Sequence, residues 1–135
     1  IKQETAPDLP AAEHRPLTIL VAEDNPVNQK VIEKLLHRMG HTTVMVPNGL
    51  VVLEALEKDR FDLILMDGSM PEMDGFEATR RIRASGNLIP IIAVTAHAMQ
   101  EDRQEFLNAG MDEYVAKPID ADLLKAVIRK VMDSA

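Results

Sequence analysis

The sequence contains no cysteine and no tryptophan, and aromatic residues make up only 3% of its 135 positions. Without cysteine the chain can form no disulfide, no thiolate nucleophile and no cysteine-based zinc or iron–sulfur site. The scarcity of aromatic side chains leaves little surface on which a flavin or a single-stranded base could stack. Any metal ion must therefore be bound by oxygen or imidazole ligands.

Long apolar runs and an excess of positive charge are absent as well. No run approaches the roughly 20 apolar residues of a membrane-spanning helix, and no signal-peptide pattern opens the chain. The 15 Lys+Arg and 22 Asp+Glu leave a net charge of −7, which disfavours binding to phosphate backbones. We therefore expect a cytoplasmic domain that contacts neither nucleic acid nor membrane, although its parent chain could be membrane-attached.

The remaining composition is that of one globular domain, with 46% hydrophobic and 27% charged residues. Residues 1–15 mix Pro, Ala and charged residues without apolar periodicity, which predicts a linker or disordered tail. We expect the folded domain to span residues 16–135. Because the chain begins with Ile1 rather than Met, we also expect it to be a piece of a longer protein.

Five short apolar runs alternate with amphipathic stretches along this domain. The runs are LTILVA (17–22), TVMV (43–46), DLILM (62–66), PIIAVT (90–95) and EYVA (113–116). The first, third and fourth are almost wholly apolar, as in parallel strands buried on both faces, whereas the second and fifth are weaker, as in edge strands. Strict alternation of strand and helix predicts an α/β, doubly wound parallel sheet.

The first and last amphipathic stretches carry clear helix signals. Asn25 can cap the first helix, Pro26 suits its first turn and Gly40 can end it. Apolar residues recur at helical spacing at Val27, Val31, Leu35 and Met39 in the first helix, and at Leu124, Ile128 and Val131 in the last. The sequence thus predicts a helix beginning near Pro26 and a last helix with Asp120 or Asp122 near its start.

Polar side chains follow four of the predicted strands, where the ligand crevice of an open α/β sheet lies. They are Glu23, Asp24, Asp67, Thr95 and Lys117. Two carboxylates about 4 Å apart repel by roughly 4 kcal/mol at an effective dielectric near 20, so a cation is expected among them. Lys117 supplies one positive charge, and Mg²⁺, which binds carboxylates, water and phosphate, fits best as a second.

The same residues predict phosphoryl-transfer chemistry. An aspartate such as Asp67 can attack phosphorus as a covalent nucleophile, while Lys117 and the Thr95 hydroxyl stabilise the phosphoryl oxygens. Each residue also has a simpler explanation, since Asp67-Gly68 is a turn dipeptide and Glu23-Asp24 can favour a helix start. Their joint occurrence after the appropriate strands favours a functional site.

Four segments now identify a resemblance. ILVAEDNPVNQKVIEKLL, DLILMDGSMPEMDGFEATRRIR, PIIAVTAHA and EYVAKPID resemble, in order, the segments of the receiver domain of two-component response regulators. The resemblance covers about residues 17–133. It implies a flavodoxin-like, three-layer αβα fold with a five-stranded parallel sheet of order 2-1-3-4-5.

The resemblance also implies a role for each polar residue. Asp67 would be the phosphorylation site. Mg²⁺ would be bound by Glu23, Asp24, Asp67 and the backbone carbonyl of Ser69. Thr95 would be the switch hydroxyl and Tyr114 its aromatic partner, and Lys117 would bind the phosphate ahead of a cis-proline, Pro118.

A receiver of this kind takes a phosphoryl group from a phosphohistidine of a histidine kinase or a histidine phosphotransfer domain. The segment EDNPVNQKV is most similar to receivers attached to hybrid histidine kinases. Self-phosphorylation and slow autodephosphorylation would accompany this role, so whether the domain counts as an enzyme stays open. The alternatives are a small Mg²⁺-dependent phosphohydrolase with an aspartyl nucleophile and an inactive receiver-like interaction module.

Three local features stand apart from the motif set. Gly68 and Ser69 follow the predicted acceptor where many such receivers carry bulkier residues, so we expect a more open crevice rim. His97 is expected to be a solvated loop residue rather than an acid, base or ligand. The basic cluster of Arg80, Arg81 and Arg83 is expected to be a solvated helix face, with partner recognition as the alternative.

Overall fold

The structure is a computed structural model that describes residues 16–67, 70, 72–96 and 100–134. Its strands are Thr18–Ala22 (β1), Thr42–Val46 (β2), Leu63–Asp67 (β3), Ile91–Thr95 (β4) and Glu113–Ala116 (β5). Its helices are Pro26–Arg38 (α1), Gly49–Lys58 (α2), Gly75–Ala84 (α3), Gln100–Ala109 (α4) and Ala121–Ser134 (α5). The predicted tail 1–15, Gly68, Ser69 and His97 lie outside the described residues.

All the strand pairs are parallel, and the sheet order is β2-β1-β3-β4-β5. This confirms the predicted order 2-1-3-4-5 and the doubly wound α/β fold. It also confirms β2 and β5 as the edge strands, which their weaker apolar runs had predicted. β3 lies at the centre of the sheet and is buried at every position.

The helices cover both faces of the sheet. Alternate strand residues point to opposite sides, so Leu63 and Leu65 of β3 pack with residues of α1 and α5, while Ile64 and Met66 pack with residues of α2, α3 and α4. Each face therefore has its own apolar core. Among the described residues, no helix combines the length and the apolar character needed to cross a membrane.

Helix α1 begins as its sequence predicts but buries a different stripe. The Asn25 side chain accepts hydrogen bonds from the backbone at the helix start, and Pro26 occupies the first turn. The residues buried against the sheet are Ile32 and Leu36. Val27 and Val31 are 69% and 47% exposed, so half of the predicted apolar stripe faces outward.

Candidate functional site

The parallel register gathers the predicted polar residues at the carboxyl edge of the sheet. Glu23 directly follows β1, and Asp67 is the last residue of β3, where it pairs with Val94 of β4. The Lys117 backbone N–H donates to the Thr95 carbonyl over 2.7 Å, which extends the pairing of β4 and β5 by one residue. Residues up to 94 positions apart therefore meet at one edge.

Three carboxylates form the acidic part of this edge. One oxygen from each of Glu23, Asp24 and Asp67 lies within 4.8 Å of the others. Glu23 and Asp67 are buried, at 1% and 6% exposure, whereas Asp24 is exposed. An all-oxygen donor set with one face open to solvent suits a hard divalent cation that keeps part of its water.

Lys117 places one ammonium group against the two buried carboxylates. Its Nζ lies 3.1 Å from Glu23 Oε1 and 3.3 Å from Asp67 Oδ2. Burial by itself acts to lower the pKa of Lys117, but the hydrogen bond to Glu23 and the negative charge of Asp67 outweigh it and hold that pKa above its ordinary value. Lys117 is therefore a fixed cation beside Asp67 at neutral pH.

Glu23 is held in place from several directions. Its Oε2 accepts the backbone N–H of Asn25 over 3.1 Å, while Oε1 accepts Lys117. Its own backbone carbonyl accepts the Gln29 side-chain amide over 2.6 Å. Sequence reasoning missed Gln29, whose only signal was its place one turn into α1. These bonds orient Glu23 and, through it, Lys117.

Helix α3 packs directly on the backbone of Asp67, a contact that sequence reasoning also missed. A Cβ atom on Gly75, the first residue of α3, would lie 2.4 Å from the Asp67 carbonyl oxygen. Asp74 caps the helix by accepting the Glu77 backbone N–H over 2.9 Å. An Asp-Gly dipeptide can mark a helix start, but only the folded chain shows that Gly75 is needed for close approach to Asp67.

Thr95 and Tyr114 lie on the same side of the sheet. Tyr114 pairs with Ala93, two residues before Thr95, so the three side chains share one face. Thr95 and Tyr114 are both half-buried. The Tyr114 ring lies against Phe106 of α4, with 5.9 Å between ring centroids. Sequence reasoning did not single out Phe106.

The remaining predicted site residues divide into two groups. The Lys117–Pro118 peptide bond is cis. Ser69, predicted to offer a backbone carbonyl to the metal, lies outside the described residues, as do Gly68 and His97. Their roles therefore stay predictions.

The expected solvated face of three arginines needs a correction. Arg80 and Arg81 are exposed and pair with Glu77 on their own helix, as such a face predicts. The Arg83 side chain is only 20% exposed and bonds to loops far along the chain, including the Asp112 carboxylate over 3.0 Å. The sequence alone could not distinguish Arg83 from Arg80 and Arg81, because the partners of Arg83 lie up to 29 residues away.

Fold and site together define a class of protein: a doubly wound α/β domain whose carboxyl edge combines an acidic cluster with a partly buried lysine. Comparisons with known proteins agree. A model of the response regulator receiver domain matches residues 19–129. Sensor protein GacS of Pseudomonas syringae pv. syringae is 40% identical over 126 residues, which are 90% of this chain and 14% of that protein. Hybrid signal transduction histidine kinase I of Dictyostelium discoideum is 45% identical over 122 residues, which are 84% of this chain and 7% of that protein.

A solved structure extends the likeness to three dimensions. The receiver domain of a sensor histidine kinase from Pseudomonas aeruginosa matches with a TM-score of 0.81 and 43% identity, covering 88% of this chain and 99% of that one. That crystal structure has a magnesium ion coordinated in its active-site cleft.

The chain belongs to the response regulator receiver domain family, and the two full-length relatives compared above are histidine kinases. It spans 14% and 7% of the lengths of the two sensor kinases compared above. Family membership favours a receiver over the small phosphohydrolase considered as an alternative.

Proposed function

We propose that the domain is a phosphorelay receiver that accepts a phosphoryl group from a partner phosphohistidine onto Asp67. The observation that carries this proposal is that Asp67 shares an acidic cluster with Glu23 and Asp24, while the Lys117 ammonium lies 3.3 Å from its Oδ2. A scaffold without chemistry gains nothing from three carboxylates in one place, because their repulsion lowers stability. The arrangement therefore disfavours the inactive interaction module.

The transfer exchanges one covalent bond for another. An Asp67 carboxylate oxygen forms a bond to phosphorus as the bond from phosphorus to the imidazole nitrogen breaks. The leaving nitrogen keeps the electron pair, so the partner histidine is regenerated. The Lys117 ammonium and the Thr95 hydroxyl lie at the same edge and can stabilise the phosphoryl oxygens. Slow hydrolysis by water transfers the phosphoryl group to the water oxygen, which releases inorganic phosphate and restores the Asp67 carboxylate.

The donor set fits Mg²⁺, which Glu23, Asp24 and Asp67 would hold together with the predicted backbone carbonyl of Ser69. When bound, the ion neutralises carboxylate charge and stabilises negative charge on the transferred group. Lys117 already occupies Oε1 of Glu23, and Asn25 occupies Oε2. Asp24 is exposed and so offers the most open oxygens toward an ion.

We propose that Thr95 and Tyr114 report the phosphorylated state to partner proteins. A phosphoryl oxygen on Asp67 would draw the Thr95 hydroxyl inward and free space for the half-buried Tyr114 ring. Thr95→Ala would then still accept phosphate from a small donor, because Asp67 and Lys117 remain. The surface around α4 and β5 would no longer change.

The donor protein needs a surface beside the crevice on which to dock. Val27 and Val31 of α1 and Leu123 of α5 are exposed at 69%, 47% and 47%. A pocket of about 180 Å³ between α1 and the turn after β5 is lined by Asn28, Val31, Ile32, Lys117, Pro118 and Ile119. Because Lys117 belongs both to this pocket and to the crevice, a protein bound here would present its phosphohistidine close to Asp67.

The chemistry is tested by intact mass after incubation with acetyl phosphate, with and without Mg²⁺. We expect one added phosphoryl group, only with Mg²⁺, and none in Asp67→Asn. Asp59→Asn, at an exposed aspartate after α2, serves as the matched control and should label like the wild type. Full labelling of Asp67→Asn would disprove the assignment of the acceptor.

Docking is tested by comparing a protein donor with the small donor. Val31→Asp should slow transfer from a phosphorylated histidine phosphotransfer domain by about tenfold, the usual loss when an apolar anchor of an interface is removed. Labelling by acetyl phosphate should be unchanged. Val44→Asp, at an edge-strand valine that is 40% exposed, is the control. Equal transfer to the Val31 and Val44 variants would place the docking surface elsewhere.

A further inference from the structure

Three of the four aromatic residues of the chain stack in one row. The rings of Phe76 and Phe106 lie 5.5 Å apart between centroids and only 8° from parallel. The rings of Phe106 and Tyr114 lie 5.9 Å apart at 37°. We call Phe76, Phe106 and Tyr114 the aromatic ladder.

The two ends of the aromatic ladder lie in functionally different places. Phe76 directly follows Gly75, where α3 packs on the Asp67 carbonyl. Tyr114 is half-buried on the edge strand β5, beside the face that the proposed switch would change. Phe106, at 4% exposure, joins these ends from within the core. The aromatic ladder thus connects the helix beside the phosphoacceptor with the outer edge of the sheet.

Packing makes the three rings interdependent. Protein interiors are close-packed, so a buried ring cannot shift without displacing the ring stacked on it. Stacked and tilted ring pairs also favour particular mutual orientations. The position of the Tyr114 ring therefore depends on Phe106, and through Phe106 on Phe76.

We propose that Phe106 is a positioning residue for Tyr114, and that Phe76 makes the position of the Tyr114 ring depend on helix α3 beside Asp67. This inference rests on the proposed function, in which phosphorylation of Asp67 is the signal. It adds to Thr95 a second connection between Asp67 and Tyr114, running through two helices rather than along the neighbouring strands.

The chain offers a clean probe, because Tyr114 is its only tyrosine and it has no tryptophan. Tyrosine emission therefore reports on Tyr114 alone. Phe76→Leu removes the far ring of the aromatic ladder without altering the ring that contacts Tyr114. Phe61→Leu is the matched control, because Phe61 packs in the same core but takes no part in either ring contact.

The first measurement is acrylamide quenching of Tyr114 in the unphosphorylated domain. In Phe76→Leu the ring contact with Phe106 is lost, so the Tyr114 ring should occupy outward positions more often. We expect the quenching constant of Tyr114 to rise about threefold. Phe61→Leu should match the wild type. Wild-type quenching in Phe76→Leu, or equal increases in the Phe76 and Phe61 leucine variants, would overturn the proposal.

The second measurement repeats the emission spectra after phosphorylation, with intact mass giving the occupancy of Asp67. At equal occupancy, the emission change should be about threefold smaller in Phe76→Leu than in the wild type. An equal change in both proteins would overturn the connection through α3. Failure of the wild type to gain a phosphoryl group would instead contradict the proposed function. The quenching of the unphosphorylated domain would still test whether the position of the Tyr114 ring depends on Phe76.

Discussion

The two ends of the sheet differ in how their polar groups are paired: one end gathers like charges, whereas the other pairs hydrogen-bond donors with acceptors. At the carboxyl end, Glu23, Asp24 and Asp67 face one ammonium group, that of Lys117. At the amino end, several hydrogen-bond donors of the described residues are paired with acceptors. The Leu17 backbone N–H donates to Nδ1 of the buried His41 over 3.0 Å, as one example.

Arg83 is the centre of the matched network at the amino end. It donates to the backbone carbonyls of Gly110, Asn87 and Ile89 over 2.9, 3.0 and 2.8 Å. It also donates to the Asp112 carboxylate, whose Oδ2 accepts the backbone N–H of Ile91 over 2.8 Å as well. One arginine therefore ties the end of α3 to the loops that precede β4 and β5.

The two ends of the sheet therefore contribute differently to the stability of the domain. A matched network satisfies buried polar groups and supports the fold. A cluster of like charges opposes folding unless a bound cation neutralises it. In the proposed function the same carboxylates take part in phosphoryl transfer. The amino end is therefore expected to respond to substitution in the same way with or without Mg²⁺, whereas the response of the carboxyl end should depend on the ion.

The largest effect is expected from Lys117→Met. Glu23 and Asp67 would lose their shared cation, and removing one partner of a buried ion pair lowers the free energy of unfolding by about 3 kcal/mol. Urea unfolding without Mg²⁺ measures the loss, and added Mg²⁺ should recover part of it. Lys125→Met, at an exposed lysine of α5, should change little. A loss indifferent to Mg²⁺ would argue against a shared carboxylate site.

A smaller loss is expected from Arg83→Met at the opposite end. Several backbone carbonyls and Asp112 would lose a charged donor, which lowers the free energy of unfolding by about 2 kcal/mol. The same urea experiment should give equal losses with and without Mg²⁺. Arg80→Met is the control, because the exposed pair of Arg80 with Glu77 contributes little. A Mg²⁺-dependent loss at Arg83 would show that the two ends are not independent.

Asp24→Asn should act in the opposite direction. Removing one of three like charges should slightly stabilise the ion-free domain, a small effect because Asp24 is exposed and its charge is screened. The same change should raise the Mg²⁺ concentration needed for half of the thermal stabilisation by about tenfold or more. Asp122→Asn, at an exposed aspartate in α5, should leave both quantities unchanged. An unaltered Mg²⁺ response would remove Asp24 from the ligand set.

The smallest effect concerns pH at the amino end. Burial lowers the pKa of His41, and its Nδ1 can accept the Leu17 N–H only when that nitrogen is unprotonated. The unfolded chain therefore binds the proton more readily, so stability is complete above about pH 6.5 and falls as the pH drops through the folded pKa.

The comparison of His41→Asn with His37→Asn tests this pH dependence. Asparagine at position 41 keeps an acceptor for Leu17 but does not titrate, so the stability lost between neutral and mildly acidic pH should shrink. His37 is exposed on α1, and His37→Asn is the control for replacing a histidine by asparagine. Identical profiles for the wild type and His41→Asn would assign the acid sensitivity to other groups.

Local sequence patterns predicted much of the fold. Apolar runs and their alternation with amphipathic stretches predicted five strands and the two edges, because burial on one or both faces of a sheet dictates residue type directly. The order of the strands was implied by the family resemblance. Ligands of open α/β sheets bind beyond the carboxyl ends of the strands, and this rule identified Glu23, Asp67 and Lys117 as candidate site residues. Asn25 and Pro26 marked the start of α1, because capping depends on the nearest few residues.

What only the tertiary structure decided involves partners far apart in the chain. The stripe of α1 that faces the sheet is Ile32 and Leu36, although Val27 and Val31 fit helical spacing equally well. The separation of Arg83 from Arg80, and the stacking of Phe76 on Phe106, likewise depend on which helices become neighbours. Residue type and spacing record how apolar or charged a position is. Side-chain partners are chosen only when close packing brings distant segments into contact.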